Sequence, residues 1–376
     1  MILEPDDTQR QLGDSVRRLL ADHCSFEQRR AIVATPEGRS AELWGRLAEL
    51  GVAGLLVPEA HGGHGGRFED LLTVLQACGG ALLPEPMIAS GVLATTALRH
   101  AGGAVQQRRW LPAMAQGRSV VAWAHDEASA DADPSRVATR ATRHGSSWVL
   151  HGGKTPVPYG AQAQAWIVSA SLGDDGEAGG VALFVVEFGA AGLQRRDFRL
   201  VDETPACELK FDATPALPLG DPLEGEAQQH TLAAVAAAGI AALCADMVGA
   251  AETAFRLSMD YLRVRQQFGR AIGENQALRH RAADMLVSLE MARSMALAAA
   301  VAADHPEDDD SAADLHRAKL IVGRHARQVC HHAVQCHGGI GMTEEYAVGH
   351  CLRRVHVADH LFGDAELHAR LLAERT

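Results

Sequence analysis

A block of short β-type runs at residues 119–222 divides a chain whose remaining sequence has helical periodicity. The runs rich in β-branched and aromatic residues are 120–124, 147–150, 166–169, 181–186 and 208–211. Turn signals such as Gly152-Gly153 separate them. Several short strands at this spacing, without helical patterns between them, indicate an antiparallel sandwich or barrel. We therefore predict a middle β domain.

Both flanks of this block are predicted to be helical. In the N-terminal flank, Leu12, Val16 and Leu20 fall on one face of a helix after the start signal Asp7-Thr8. In the C-terminal flank the helical segments are unusually long, at 228–264, 275–304, 311–337 and 343–373. Helices of this length usually support one another side by side in a bundle.

The predicted fold class is therefore α+β and multidomain. Its parts are an N-terminal helical domain at 1–118, an antiparallel β domain at 119–222 and a C-terminal four-helix bundle at 223–376. The chain has 376 residues, 47% of them hydrophobic. That is enough for two or three units, since a domain usually takes about 100–200 residues.

Composition argues against several classes of partner and location. Asp and Glu number 47 against 35 Lys and Arg, for a net charge of −12, whereas a non-specific nucleic-acid binder needs a positive field. The seven cysteines are scattered and include no CxxC pair, which is typical of reduced thiols and predicts a cytoplasmic location. The acidic start of the chain is unlike a secretory signal.

Neither a membrane span nor a metal site is predicted. The apolar run 232–245 is mostly alanine, is stopped by Asp246, and is shorter than the roughly 20 residues that a span requires. Histidines and cysteines crowd the last fifth of the chain, but Cys330 and Cys336 lie six residues apart on a predicted helix and point in different directions. Motifs of the CxxC or HExxH type are absent.

A glycine cluster at 335–341, Gln-Cys-His-Gly-Gly-Ile-Gly, has two interpretations. Consecutive glycines let backbone N–H groups approach an anion closely. However, the cluster follows a predicted helix, whereas a Rossmann loop follows a strand and opens a helix. Taken alone, it is better interpreted as a turn between two bundle helices.

A second segment changes this interpretation. Residues 261–276, Tyr-Leu-Arg-Val-Arg-Gln-Gln-Phe-Gly-Arg-Ala-Ile-Gly-Glu-Asn-Gln, together with the glycine cluster resemble the paired C-terminal signature of the acyl-CoA dehydrogenase family. The segments 50–66 and 108–117 are similar to the family's N-terminal helical domain and to its approach to the β domain. The resemblance covers nearly the whole chain. It implies the family's three-domain fold, an acyl-CoA substrate and an FAD cofactor bound between subunits.

By this resemblance, five residues hold the diphosphate and adenosine end of the FAD of a neighbouring protomer: Arg265, Gln276, Gln335, Gly338 and Gly339. An arginine presents a fork of donors suited to a pyrophosphate, and glutamine and glycine backbone can reach the rest of a nucleotide. Phe268 would pack beside the cofactor; the alternative is a core aromatic without cofactor contact.

The catalytic glutamate of the family is missing from both of its usual positions. The loop 361–367, Leu-Phe-Gly-Asp-Ala-Glu-Leu, places Gly363 where most members have it, and the other position, on the first helix of the bundle, is Gly239. Asp364 is the nearest substitute and the candidate catalytic residue. The alternative role for Asp364 is a helix N-cap, which its position also predicts.

The β-domain segments that line the flavin in the family differ as well. Residues 122–129, Ala-Trp-Ala-His-Asp-Glu-Ala-Ser, stand in place of a Thr-Glu-Pro-type segment. Residues 153–158, Gly-Lys-Thr-Pro-Val-Pro, replace the aromatic-Ile-Thr/Ser segment. This joint pattern resembles the small subunits of two-subunit bacterial acyl-CoA dehydrogenases, such as the pimeloyl-CoA dehydrogenase small-subunit type.

The resemblance implies FAD-dependent α,β-desaturation of an acyl-CoA thioester in fatty acid metabolism, performed alone with Asp364 or as one subunit of a heteromer. It implies a homodimer or a heterotetramer with a paralogous dehydrogenase subunit, and an electron-transfer flavoprotein as acceptor. Two alternatives stay open because fold does not determine function. One is a non-catalytic FAD-interface or scaffold subunit, and the other is a flavin oxidase or oxygenase of the same fold.

Overall fold

The structure is a computed structural model that describes residues 5–128, 136–145, 147–172, 180–267, 269–305 and 309–375. A helical part is followed by a β part and a second helical part, as the sequence predicts. The chain divides into two compact units, one from the described parts of 1–31, 68–83 and 240–376, the other from those of 32–67 and 84–239. The domain boundaries at 118 and 222 follow changes of secondary structure and stay a prediction.

The N-terminal part consists of helices. Its α-helices are α1 (Asp7–His23), α2 (Phe26–Val33), α3 (Ala41–Glu49), α4 (Phe68–Gly80), α5 (Thr95–Ala101) and α6 (Ala104–Ala115). Helix α1 begins at the predicted start signal, because the carboxylate of Asp6 caps it by accepting from the Gln9 N–H group at 2.8 Å. A π-helix, Met87–Ala94, precedes α5 and continues into it.

The β part closes on itself. Its strands are β1 (Val121–Ala124), β2 (Arg140–His144), β3 (Ser147–Pro158), β4 (Ala165–Ser171), β5 (Val181–Glu187), β6 (Leu193–Arg199) and β7 (Pro205–Pro218). Hydrogen-bonded pairing runs from β4 through β5, β7, β3 and β2 back to β4. Trp166 and Phe184 are fully buried in the core of this barrel.

Two features of the barrel differ from the prediction. Strands β1 and β4 pair in parallel, because the chain makes the antiparallel β2–β3 hairpin before β4 returns beside β1 in the same direction. Strands β2 and β6 were not among the predicted runs. Their sequences, Arg-Ala-Thr-Arg-His and Leu-Gln-Arg-Arg-Asp-Phe-Arg, are mostly polar and exposed, so they lack the apolar signal on which the prediction depends.

The C-terminal part contains α7 (Gly225–Val264), α8 (Gln276–Ala303), α9 (Asp309–His337), α10 (Ala347–His360) and α11 (Ala365–Ala373), with a short hairpin of β8 (Gln266–Gln267) and β9 (Arg270–Ala271). The first three long helices are confirmed within three residues at each end. The segment 343–373, predicted as one helix, is divided between α10 and α11. The break falls where Phe362 and Gly363 have positive φ angles of 58° and 88°, which a right-handed helix does not allow.

Helices α4 and α7 pack so closely that their contact excludes side chains. A Cβ atom on Gly249 would overlap the carbonyl oxygen of Gln76, and one on Gly79 would overlap that of Asp246. Asp246 is buried and forms a bidentate ion pair with Arg354 of α10 at 2.8 and 2.9 Å. Glycine at the crossing and the ion pair beside it thus fix α4, α7 and α10 against one another.

Helices α7 and α8 are both long and apolar enough to cross a membrane by length and composition alone. In α7, 83% of the most apolar window is buried inside the protein, as expected for a core helix. In α8, only 44% of the corresponding window is buried. The second helix therefore leaves part of its apolar surface uncovered in the single chain.

Substituting Gly249→Ala tests the α4–α7 crossing. Because the backbone of α4 cannot give way cheaply, the free energy of unfolding should fall by about 1–3 kcal/mol. The matched control is Gly45→Ala in α3, where an added Cβ meets nothing within 4 Å. There the better helix propensity should raise stability by up to about 1 kcal/mol. Urea unfolding followed by circular dichroism measures both, and equal shifts would contradict the close crossing.

Candidate functional site

The end of α7 and the start of α8 are joined by a hairpin that fixes Arg265 and Gln276. Helix α7 ends at Val264, and the N–H group of Ile272 donates to the carbonyl of Arg265 at 2.8 Å. The turn between β8 and β9 uses Gly269, whose φ of 81° favours glycine. Gln276 is the first residue of α8. Both candidate side chains are exposed.

The glycine cluster lies at the end of α9. This helix ends at His337, and Gly338 follows with a φ of 65°, the usual geometry of a glycine that terminates a helix. A Cβ atom built on Gly338 or Gly339 would meet nothing within 4 Å, and Gln335 is exposed. The turn predicted from the sequence is therefore present, and it leaves open space in front of two glycines.

Aromatic contacts bring these two segments together. The rings of Tyr261 on α7 and His337 on α9 stack with centroids 4.4 Å apart, and the ring of Tyr346 lies 4.8 Å from that of His337. His337 donates through Nδ1 to the carbonyl of Ala333 at 2.8 Å, and burial lowers its pKa, so it is neutral at pH 7. The end of α7 and the end of α9 thus meet at the same end of the bundle.

Arg265 is the arginine at this end whose charge is available to a ligand. Arg263 pairs with Asp260 at 3.3 Å, and Arg270 donates to Asn275 at 2.6 Å. Within the described part of the chain, the side chain of Arg265 has neither an ion pair nor a hydrogen bond. An exposed guanidinium beside open glycine backbone is an arrangement that suits a diphosphate. Phe268 lies outside the described residues.

Asp364 caps a helix. Its carboxylate accepts from the N–H groups of Glu366 at 3.1 Å and Leu367 at 2.8 Å, at the start of α11. The bond from Leu367 is the main reason that the pKa of Asp364 is lowered. The N-cap alternative therefore describes its contacts in the structure.

Neither glycine at the base positions of the family can easily be exchanged for a carboxylate. Gly363 has a φ of 88°, and a Cβ atom there would overlap the side chain of Leu367. Gly239 is buried in the middle of α7, in a stretch of alanine and other apolar residues. A longer side chain at 363 would be strained whatever the space.

A buried charge network in the β barrel was missed by the sequence analysis. Lys154 on β3 is fully buried and donates to Ser169 Oγ at 2.9 Å, to the carbonyl of His125 at 2.9 Å and to Glu127 at 2.6 Å. Burial lowers the pKa of Lys154 to about 8 and raises that of Asp126 to about 6.

This network anchors the segment after β1, which stands where the family has its flavin-lining segment. The partners of Lys154 are two groups of that segment, His125 and Glu127, and one group of β4, Ser169. The sequence signal was a lysine in a strand that contains no Arg, Asp or Glu. Periodicity alone cannot distinguish such a lysine from one on the exposed face.

Comparison with known proteins places this geometry in a family. Three family models match in order: the acyl-CoA dehydrogenase N-terminal domain at 6–118, middle domain at 122–214 and C-terminal domain at 235–376. Acyl-CoA dehydrogenase FadE12 of Mycobacterium bovis is 30% identical over 317 residues, covering 82% of this chain and 81% of that protein. The chain belongs to the acyl-CoA dehydrogenase family.

Other relatives of this acyl-CoA dehydrogenase agree. Mitochondrial isovaleryl-CoA dehydrogenase of Arabidopsis thaliana is 27% identical, covering 96% of this chain and 89% of that protein. The solved Tcur3481-Tcur3483 steroid ACAD variant is 29% identical with a TM-score of 0.87, covering 97% of this chain and 96% of that one. The ChsE4-ChsE5 complex of Mycobacterium tuberculosis, 24% identical with a TM-score of 0.89 over 100% and 98% of the chains, shares the fold.

As a member of this family, the chain is a flavin-dependent oxidoreductase with FAD as its cofactor, and the residues at the end of the bundle fit that group. The FAD diphosphate needs paired donors and close backbone approach, which the exposed Arg265 and the open Gly338 and Gly339 provide. The assignment of the individual cofactor residues stays a prediction, as does that of Asp364. Among the described residues, no group of three or more His, Cys, Asp or Glu side chains could hold a metal ion.

Replacement of Arg265 by glutamine tests the diphosphate site. Loss of one charge-assisted interaction of about 1.5–3 kcal/mol should weaken FAD binding by roughly ten- to hundredfold. Arg263→Gln is the matched control, because it removes a nearby arginine that already pairs with Asp260, and it should change affinity less than about twofold. Titration of FAD into the flavin-depleted assembly of this chain with its partner subunit, followed by flavin fluorescence, measures both. Equal losses would show a general effect of surface charge instead of a diphosphate contact.

Proposed function

We propose that this chain works as one subunit of a heteromeric FAD-dependent acyl-CoA dehydrogenase, in which a paralogous partner supplies the catalytic carboxylate. The observation that carries the proposal is the pair of glycines at the base positions of the family. Gly363 lies in a left-handed turn, and Gly239 lies inside a buried, alanine-rich helix. Under this proposal the chain contributes a cofactor half-site without contributing the base.

The reaction explains why the missing carboxylate matters. A base must remove the α-proton of the acyl thioester, and the flavin accepts the β-hydrogen as hydride. A general base works best with a pKa near the operating pH. The pKa of Asp364 is instead lowered, away from neutral pH, because the N–H groups of α11 stabilise its charged form. Its contacts therefore favour the capping role over the catalytic one.

Exposed apolar side chains around the cofactor residues support a partner. Val264 precedes Arg265 and is 74% exposed, and Met342 in the turn after Gly339 is 71% exposed. Leu286, Val287 and Met291 are also exposed, on the half-buried helix α8. Clusters of exposed apolar residues mark sites of protein interaction. A paralogous subunit or a second copy that covers this end of the bundle would bury Val264 and Met342 beside the FAD.

The remaining parts of the proposal rest on the family and on the cysteines. Two of the similar solved structures are described by paired names, Tcur3481-Tcur3483 and ChsE4-ChsE5, and the latter as a complex. The electron acceptor we propose is an electron-transfer flavoprotein. All seven cysteines are buried thiols outside any disulfide, which supports the reduced environment of the cytoplasm. A heterotetramer is the assembly we propose, with a homodimer as the alternative.

Co-expression with a candidate paralogous dehydrogenase subunit tests the heteromer. The chain purified alone should be colourless, and the co-purified complex should be yellow and should be bleached by an acyl-CoA substrate. A yellow homomer that an acyl-CoA reduces would overturn the proposal. A complex that stays active when this chain's Arg265 is replaced would favour the scaffold alternative. Hydrogen peroxide formed in proportion to substrate consumed would favour an oxidase.

The variants Asp364→Asn and Asp364→Ala separate capping from catalysis. Asparagine is also a good N-cap, so Asp364→Asn should leave flavin reduction within a few-fold of the wild-type rate, while Asp364→Ala should lower the free energy of unfolding by about 1 kcal/mol. Stopped-flow absorbance of the complex and thermal unfolding provide the two readouts. Loss of flavin reduction by several orders of magnitude in Asp364→Asn would return the role of base to this residue.

A further inference from the structure

A fully buried lysine on α9 binds the end of α10 and the loop after it. The Nζ atom of Lys319, which carries three N–H donors, lies within hydrogen-bond distance of four carbonyl oxygens, those of Ala358 at 3.0 Å, Asp359 at 2.7 Å, Leu361 at 2.9 Å and Gly363 at 2.8 Å. The first two belong to the last turn of α10, where carbonyl groups lack partners within the helix. The other two belong to the loop at 361–363, so one ammonium group connects both.

A buried histidine from α11 completes the hold on this loop. His368 donates through Nε2 to the carbonyl of Phe362 at 3.0 Å. Its other ring nitrogen, Nδ1, therefore accepts from Nδ1 of His316 at 2.9 Å. Burial lowers the pKa of His368 to about 4, so the ring is neutral at pH 7. Three consecutive carbonyl groups, those of residues 361–363, thus accept hydrogen bonds from two buried side chains.

The backbone of the loop would not keep its conformation without such support. Phe362 has a φ of 58° and Gly363 a φ of 88°. A left-handed conformation costs free energy at a residue with a Cβ atom, and it persists only where the surroundings determine it. Lys319 and His368 provide these determinants. The charged form of Lys319 holds at pH 7, because burial lowers its pKa only to about 8.

A second contact between α9 and α10 does not involve the loop. Arg327 lies two turns after Lys319 on α9, and its Nη1 atom lies 3.0 Å from Oδ2 of the buried Asp359. Between them, Gly323 allows close approach, since a Cβ atom there would overlap the carboxylate of Asp359. Arg327 therefore stabilises the packing of α9 on α10, while the contacts of Lys319 extend to the loop.

We propose that Lys319 is a positioning residue for the dehydrogenation reaction, because it holds the loop at 361–363 in the one conformation that the bound acyl-CoA meets. The proposal rests on the proposed function and adds to it that this loop, by resemblance the counterpart of the base loop of the family, borders the acyl site of the assembled enzyme. Lys319 acts through the backbone of the loop and does not itself touch the substrate. A lysine that merely capped α10 would support stability and leave the kinetics unchanged.

Lys319→Met and Arg327→Met in the FAD-loaded complex distinguish these roles. Both variants should lower the thermal unfolding midpoint. Only Lys319→Met should reduce kcat/KM, by roughly ten- to hundredfold, as expected when a reacting geometry shifts by about 1 Å. Butyryl-, octanoyl- and pimeloyl-CoA serve as probes. Amide hydrogen exchange at 360–364, measured by mass spectrometry on the chain without FAD, should be accelerated in Lys319→Met and unchanged in Arg327→Met.

The proposal is overturned if the two variants have the same kcat/KM, or if exchange at 360–364 is the same in Lys319→Met and the wild type. Should Lys319→Met fail to fold, His368→Leu removes the bond to Phe362, together with the bond to His316, and leaves Lys319 in place. This variant is expected to change both readouts in the same direction. A wild-type complex that oxidises none of the three probes would contradict the proposed function. The exchange experiment would still decide whether Lys319 holds the loop.

Discussion

Close packing around α7 is the constraint on which the arrangement of the helices of residues 68–83 and 240–376 depends. Alanine and glycine make up 15 of the 40 residues of this helix, so neighbouring helices approach its backbone, and α4 contacts it at Gly249 without an intervening side chain. Small side chains make this close approach possible. They also carry no functional group that could act as a base. Position 239, where some members of the family carry their base, is one of these small residues. The packing and the missing base are thus properties of the same sequence.

The end of the bundle with the candidate cofactor residues is exposed, in contrast to the closely packed region around α7. Its residues are exposed, its arginine has no partner in the described part of the chain, and its glycines face open space. Exposed apolar residues such as Val264 and Met342 lie close in sequence to these residues, and under the proposed function a neighbouring subunit covers them. The helices are therefore closely packed in their interior, and the candidate FAD site lies at the exposed end of the bundle.

The loop between α10 and α11 has a firmly held backbone although Gly363 stands at the position that aligns with the catalytic glutamate of the family. The carbonyl groups of residues 361–363 are still held by Lys319 and His368. The neighbouring carboxylate, that of Asp364, caps α11. A backbone that is held so firmly, with no base on it, is consistent with a loop whose shape still serves a shared active site.

The sequence by itself determined the order of helical and β parts, the three longest helices and the residues of the diphosphate signature, because periodicity and short motifs are local properties of a chain. It did not reveal the polar strands β2 and β6, the parallel pairing of β1 with β4, or the break at Phe362. Only the tertiary structure decided the partners of Lys154 and Lys319, and it shows which of the two roles predicted for Asp364 describes its contacts. Each of these side chains gains its role from hydrogen bonds to groups brought near by folding, and most of these groups are backbone carbonyl or N–H groups, which carry no signature in the amino-acid sequence.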